Sequence, residues 1–301
     1  MWIICVMRAD RCLTLCLFSP LHRIGLSRKS RALPILMYHS ISDDPEQGLH
    51  PYYRLATSPE RFAEQMQWLA DGGWSGVSVE EALRRLGNGE GDGTLTAAIT
   101  FDDGFRDFYT EAAPVLKRHG FAATVFLPTA FISSPRKSWH GMECLTWSEV
   151  KELRSEGIRF GSHTVTHPNL HEVAWKRIRE ELASSRQRIE DELGEGVLSF
   201  AYPYAFPQED AQFTKAFAEE LREQSYQICV TTVVGRARAN CDSYRLERLP
   251  INSCDDRSFF LAKLAGLYDW VGTVQRAFRL SRYQHTKALG ASRSGRGDAA
   301  Y

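Results

Sequence analysis

The 301-residue sequence predicts a parallel α/β fold. Three observations carry that expectation. Short β-prone runs alternate with helices that open on capping residues and close on glycine. Two of the runs end in polar clusters, Asp102-Asp103-Gly104 and Gly161-Ser162-His163, and parallel folds bind ligands at the C-terminal ends of their strands. No glycine-rich dinucleotide fingerprint is present. The alternation alone is compatible with a closed barrel and with an open sheet.

In chain order, residues 34–41 read as a first buried strand, with Tyr38 and His39 at its end. A polar loop follows over 42–57. Thr57-Ser58-Pro59-Glu60 opens a helix with a hydroxyl N-cap, an early proline and an early glutamate. Phe62, Met66 and Leu69 keep helical spacing, and Gly72-Gly73 ends the helix. Ser78 with Glu81 caps the next helix. Residues 87–93 are a glycine-rich turn into the strand that ends at Asp102.

A helix over 107–119, a strand over 122–128 and a loop over 129–145 carrying Trp139 and His140 come next. Thr146 with Glu149 caps a helix that ends at Gly157, and the strand to His163 follows. A long polar helix covers 171–193, then a strand 198–204, a helix near 208–223, and strands at 227–234 and 244–251. Residues 256–281 form an amphipathic helix with Phe260, Leu264, Leu267, Val271, Val274 and Phe278 on one stripe. The division expected is an extension over 1–33, a catalytic domain over 34–255, a helix over 256–282 and a disordered tail over 283–301.

Composition is that of a soluble globular protein, and the formal net charge is zero, so nothing points to nucleic acid. The seven cysteines form no C-x-x-C pair, which fits a reducing compartment. Neither apolar run before residue 19 is long enough to span a bilayer, and Arg8, Asp10 and Arg11 interrupt a signal-peptide core. A flexible extension is expected there. The location expected is cytoplasmic, with peripheral contact to the inner membrane face through 256–282, where Arg276, Arg279 and Arg282 accompany the apolar stripe.

Two adjacent carboxylates repel unless a cation lies between them or one is protonated. Asp102 and Asp103 therefore suggest a metal site with a second acid beside it. His163 and His167 add two imidazoles on one loop, and two histidines with one carboxylate make a facial ligand set with open positions. A solvated Asp-Asp-Gly turn and hydrogen-bonded structural histidines are the plainer readings of each motif alone. His39 faces the same rim, as a contact to substrate or as a structural histidine.

Taken together, Thr100-Phe101-Asp102-Asp103-Gly104 and His163-Thr164-Val165-Thr166-His167 resemble the first two motifs of the NodB-type polysaccharide deacetylases (carbohydrate esterase family four). Ser199-Phe200-Ala201-Tyr202-Pro203-Tyr204-Ala205 is similar to the third, and Pro34-Ile35-Leu36-Met37-Tyr38-His39-Ser40 resembles the first strand of one branch. The resemblance runs from about 34 to about 252. It implies a distorted, incomplete (β/α) TIM-like barrel and metal-dependent hydrolysis of an N-acetyl amide on a sugar, as polymer, oligomer or lipid-linked precursor of surface polysaccharide.

The resemblance assigns Asp103, His163 and His167 to a divalent metal, with zinc first and cobalt, nickel, manganese or iron as alternatives. It assigns Asp102 as the base and the Tyr204 backbone N–H to the oxyanion. Ala205 replaces the usual glycine, and the family's third-motif arginine has no match nearby. Arg248, or Arg245, is expected to orient Asp102 instead. The late Leu-x-His motif is missing, which leaves His39, His140, a water or Asp102 as the proton source. Three alternatives stay open: a sugar-binding homologue without turnover, a hydrolase of a non-sugar C–N bond, and a two-histidine, one-carboxylate iron oxygenase, against which Asp102 and the Pro-Tyr turn weigh.

Overall fold

A computed structural model describes residues 8–18, 32–44, 46, 49–50, 53–88, 95–239 and 241–294, with side chains of the last helix described to Arg282. Its main strands are β1 (Ile35–Tyr38), β2 (Trp74–Val77), β3 (Leu95–Phe101), β4 (Thr124–Leu127), β5 (Arg159–Ser162), β6 (Ser199–Ala201), β7 (Ile228–Val234) and β8 (Leu246–Pro250). All of their pairings are parallel. Seven strands close a ring in the order β1-β8-β7-β6-β5-β4-β3 and back to β1. This is the (β/α) TIM-like barrel expected, one strand short of eight.

The remaining strand is the distortion. β2 pairs with the first half of β3, from Trp74 opposite Leu95 to Val77 opposite Ala98. The second half of β3 pairs on that side with β4, at Thr100 and Phe101. β2 is thus wedged beneath the β3–β4 seam, and it lies in a stretch the sequence reading passes over as a link. Four residues containing a serine and a glycine give no periodic signal. Gly76 is required there, because a Cβ would meet Ile99 and Phe121 at 2.6 and 2.7 Å.

Alternation along the strands sorts the core into two clusters. Ile35, Ala98, Phe126, Ala201, Val230 and Leu246 belong to the smaller one. Leu36, Ile99, Val125, Phe200, Cys229 and Leu249 belong to the larger, with residues of the outer helices. The smaller cluster is the filling of the ring. Thr100 and Asp102 are in phase with Ala98, and Arg248 is in phase with Leu246, so these polar groups stand above that filling.

The helices are α1 (Ala9–Leu13), α2 (Pro59–Asp71), α3 (Val79–Asn88), α4 (Ala113–His119), α5 (Trp147–Ser155), α6 (Trp175–Leu193), α7 (Ala211–Glu223), α8 (Arg257–Leu264) and α9 (Trp270–Ser294). The capping assignments at Ser58, Ser78 and Thr146 are found as hydrogen bonds, and Thr146 with Glu149 forms a complete capping box.

The described residues near both termini are ordered into helices. Of the extension expected over 1–33, residues 8–18 and 32–33 are described, and there α1 docks on the C-terminal helices. Arg8 pairs with Asp10 at 2.6 Å and approaches Asp255 at 3.6 Å, the Tyr268 hydroxyl donates to Asp10, and Trp270 Nε1 donates to Thr14. The single helix over 256–282 is two helices. Gly266 at φ 85° receives a Schellman-type close, with Leu267 N–H on Ala262 O and Gly266 N–H on Lys263 O. The disordered tail over 283–301 is helix as far as Ser294; residues 295–301 lie outside the described set. The composition of 283–294 suggested a coil, but Gln284, Lys287, Ala288 and Leu289 are good helix formers that extend α9.

Candidate functional site

The site stands on the C-terminal ends of β3, β5, β6 and β8. Strand pairing carries past the end of β3, since Asp102 N–H donates to Tyr38 O at 3.0 Å. Asp102 therefore keeps the inward phase of Ala98 and Thr100. Asp103 leaves it at φ 73°, and Gly104 follows at φ 60°. A Cβ on Gly104 would press on Leu127 and Ile132 at 3.0–3.1 Å. The turn brings the two neighbouring carboxylates to one rim while separating their partners.

Asp102 is 2% exposed and faces Arg248, which is fully buried. Nη1 and Nη2 of Arg248 each donate to one carboxylate oxygen at 2.7 Å. Nε of Arg248 donates to Thr231 O and Nη1 also reaches Thr100 Oγ1, so the guanidinium is fixed on every side. Burial pushes the Asp102 carboxyl upward, but the Arg248 charge and its hydrogen bonds, helped by His163 and His39, hold it well below the ordinary carboxylate range. His39 Nε2 stands 3.8 Å from Asp102 Oδ2. Arg245, the other arginine considered, pairs with Asp242 at 3.6 Å.

Asp103 instead faces the two histidines. Its Oδ1 lies 3.5 Å from His163 Nε2 and 3.6 Å from His167 Nε2, and the two Nε2 atoms are 3.1 Å apart. Among the described residues, this is the only set of three His, Cys, Asp or Glu whose ligand atoms lie within 4.8 Å of one another. His163 Nδ1 is 2.8 Å from Ala201 O. A carbonyl only accepts, so Nδ1 carries the proton and Nε2 presents a lone pair to the cluster. Asp103 Oδ1 is buried with no hydrogen-bond partner. A buried, unsatisfied carboxylate oxygen converging with two imidazole Nε2 atoms is the donor set that a divalent cation fits.

The histidine loop is held from below. Glu181 of α6, 5% exposed, accepts from the N–H groups of Val165 and Thr166 at 2.8 Å and from the Thr166 hydroxyl at 2.6 Å. His167 N–H donates to Thr164 Oγ1. Gly161 lets the β5 backbone approach, because a Cβ there would meet Phe126 and Ser199 at 2.6 Å. Trp139 and Tyr204 present themselves to the His167 ring at 4.8 and 4.6 Å, both edge-on. Trp139 also stacks on Phe131 at 4.8 Å, and His140 lies against Trp139. Four non-glycine residues of this rim, Asp103, Thr164, His167 and Tyr204, have φ between 54° and 73°. Such backbone persists only where its surroundings over-determine it, and it gathers at functional sites.

Sequence reasoning singled out Asp102, Asp103, His163, His167, Tyr204, His39 and Arg248. The structure brings all seven to one rim. It also brings Glu181 and Ala201 O, which the sequence reading did not assign to the site, together with Trp139 of the 129–145 loop. A glutamate fifteen residues past a histidine loop on a polar helix carries no local signal.

The polysaccharide deacetylase description matches residues 90–226, a span holding the Asp102–Asp103 turn, the histidine loop and Tyr204. Over that span the chain is similar to the polysaccharide deacetylases. Against YxkH of Bacillus subtilis (strain 168) it is 29% identical over 226 residues, covering 75% of this chain and 74% of that protein. Against the poly-beta-1,6-N-acetyl-D-glucosamine N-deacetylase of Escherichia coli (strain K12) it is 25% identical over 138 residues. That match takes 43% of this chain and spans only a fifth (20%) of the relative's length. Among solved structures, the Streptococcus pyogenes deacetylase PplD in complex with acetate superposes with a TM-score of 0.65 at 28% identity, over 77% of this chain and 98% of that one. Arg248 is then notable within the family pattern, because its guanidinium reaches Asp102 from the last barrel strand rather than from the third motif.

Proposed function

We propose that the chain hydrolyses the N-acetyl amide of an N-acetylated sugar and releases acetate. One observation carries this reading: a buried carboxylate locked by Arg248 stands beside a separate carboxylate–imidazole–imidazole set. Neighbouring acids with divided partners suit divided tasks. Asp103, His163 and His167 would hold a divalent metal, zinc first. Bound there, it would acidify water and polarise the acyl oxygen.

The remaining work falls to this chain's own groups. Asp102 takes the proton of the attacking water, and Arg248 keeps both carboxylate oxygens in one plane for it. The Tyr204 N–H donates to the oxyanion as the carbonyl becomes tetrahedral. His39, beside Asp102, delivers a proton to the departing amine in place of the missing late histidine. The edges of Trp139 and Tyr204 around His167 form an aromatic wall on which a sugar face can rest.

The similarity to the E. coli enzyme makes a β-1,6-linked N-acetylglucosamine chain the first substrate to try, with lipid-linked N-acetylhexosamines second. The test is acetate release from such a panel by metal-loaded protein, with Asp102→Asn alongside and metal content measured for both. Acetate from the wild type alone, with equal metal, supports the reading. Bound metal with no acetate from any substrate removes it.

We also infer peripheral membrane contact through α9. Val274 and Phe278 are 55% and 61% exposed on one helical face, and Arg282 lies over the Phe278 ring at 5.9 Å. Phe260, Leu264 and Val271, earlier on the expected stripe, are buried against the body. Among the described residues, no helix is long and apolar enough to cross a membrane. An inner-face cytoplasmic site suits a lipid-linked substrate.

A further inference from the structure

We propose that Gln275 and Arg279 of α9 are positioning residues that hold the Tyr204 backbone in its working conformation. The proposal rests on the deacetylase reading and on the oxyanion role given there to the Tyr204 N–H.

Tyr204 is half exposed and sits at φ 56°. An L-residue rarely adopts that region because its Cβ crowds the backbone, and the next residue is Ala205 rather than a permissive glycine. Something outside the turn must hold it. Thr232, near the end of β7, is the first contact. Its hydroxyl donates to Tyr204 O and accepts from Phe206 N–H, both at 3.0 Å, and so spans the turn. Gln275 then fixes the backbone around Thr232, donating to Thr232 O at 3.3 Å and accepting from Val234 N–H at 3.0 Å. Arg279, one turn further along α9, donates to Phe206 O at 2.6 Å. Arg276 reaches Gln208 Oε1 at 3.3 Å.

The turn is therefore gripped on two sides, by Thr232 from the barrel and by α9 from outside. The helix itself is seated closely: a Cβ on Gly272 would fall 1.9 Å from Val234 O. Neither Gln275 nor Arg279 is seen to contact the Asp102, Asp103 or histidine groups, so their effect passes through the turn. A misplacement of about 1 Å in a positioned group can reduce a rate by roughly 10²-fold.

The test compares wild type with Arg279→Ala, Arg279→Lys, Gln275→Ala and the control Phe278→Ala. Steady-state kinetics on one soluble N-acetylated substrate, without lipid, and hydrogen–deuterium exchange of the amides over 204–208 are read together. The expected result for Arg279→Ala is a kcat lower by about 10- to 100-fold, an unchanged KM, unchanged metal content and faster exchange confined to the turn. Arg279→Lys should recover part of both losses, and Phe278→Ala should change neither. Wild-type kcat in Arg279→Ala and Gln275→Ala, or unchanged exchange over the turn, overturns the proposal. If the wild type releases no acetate, the deacetylase reading fails, and exchange alone decides whether α9 orders the turn. If Arg279→Ala does not fold, Arg279→Lys and Gln275→Ala carry the same comparison.

Discussion

The Arg248 guanidinium and the Asp102 carboxylate meet through two parallel hydrogen bonds of 2.7 Å, although 146 residues separate them. Both are buried, and each depends on the other. Removing one partner of such a pair destabilises by about 3–5 kcal/mol, because the remaining charge has no solvent and no counter-charge. Arg248→Ala should therefore lower the urea midpoint markedly and abolish acetate release. Arg248→Lys retains the charge but not the fork. It should recover stability better than activity, and paired denaturation and kinetic measurements would expose that split.

The carboxylate–histidine–histidine set predicts a stability that depends on metal. A ligand that binds only the folded state contributes about 2.7 kcal/mol at a hundredfold excess over Kd. Chelation should lower the melting temperature of the wild type and leave His163→Ala almost unmoved. Glu181→Ala, which touches no proposed ligand directly, should weaken metal affinity by about 10- to 100-fold by freeing the Val165–Thr166 backbone. Metal analysis after dialysis reads this directly.

Gly161→Ala should be costly despite its small size. Its Cβ would lie 2.6 Å from both Phe126 and Ser199 Oγ, and forcing a methyl into a packed core costs about 1–3 kcal/mol. The strain falls on β5 two residues before His163. A lower melting temperature together with reduced metal occupancy is the expected pair of changes; an unaltered melting curve would show that the strand can shift.

The capping glutamate sets one limit of acid stability. Burial raises the Glu149 carboxyl, but Arg136, the Thr146 backbone N–H and Arg106 more than offset this and bring it to about 2, from an ordinary 4.5. A depressed carboxylate contributes stability that is complete above its unfolded value and lost as pH falls through its folded one. Glu149→Gln should thus destabilise at pH 6 by about 1–2 kcal/mol after allowance for solvent screening. The gap should close between pH 4.5 and 2. Urea titrations at pH 6, 4 and 3 would follow it.

Membrane contact through α9 predicts that vesicles containing anionic lipid float with the wild type and release Val274→Ser/Phe278→Ser. Equal flotation of the two would end that idea. Neither residue belongs to the grip on Tyr204, so the double variant should keep wild-type kinetics on a soluble substrate.

Much of this site was legible because its chemistry comes in short adjacent runs. Asp102-Asp103-Gly104 and His163 to His167 end strands, and strand ends face one rim in a parallel fold. Arg248 was legible only as the answer to a missing arginine, and its phase with Leu246 on β8 is what sends it inward. The supports were not legible. Glu181, Gln275 and Arg279 sit on polar helix faces where such residues are ordinary, and only the packing of α6 and α9 on the barrel gives them partners. β2 escaped for lack of a hydrophobic pattern. The break at Gly266 was hidden because the apolar spacing continues across it, even though the two segments run as separate helices.

The docking of α1 has a consequence for any shortened form of this protein. Arg8 lies over the Phe259 ring at 4.9 Å and stands beside Asp255, which also takes two hydrogen bonds from Lys263. A chain trimmed to begin at β1 would keep every barrel strand and every proposed ligand. It would nonetheless bare the aromatic surface of Phe259 and Tyr268 and withdraw one of the two cations from Asp255. Such a fragment would carry an intact rim on a body with a newly adhesive flank, so its failing would be colloidal rather than chemical.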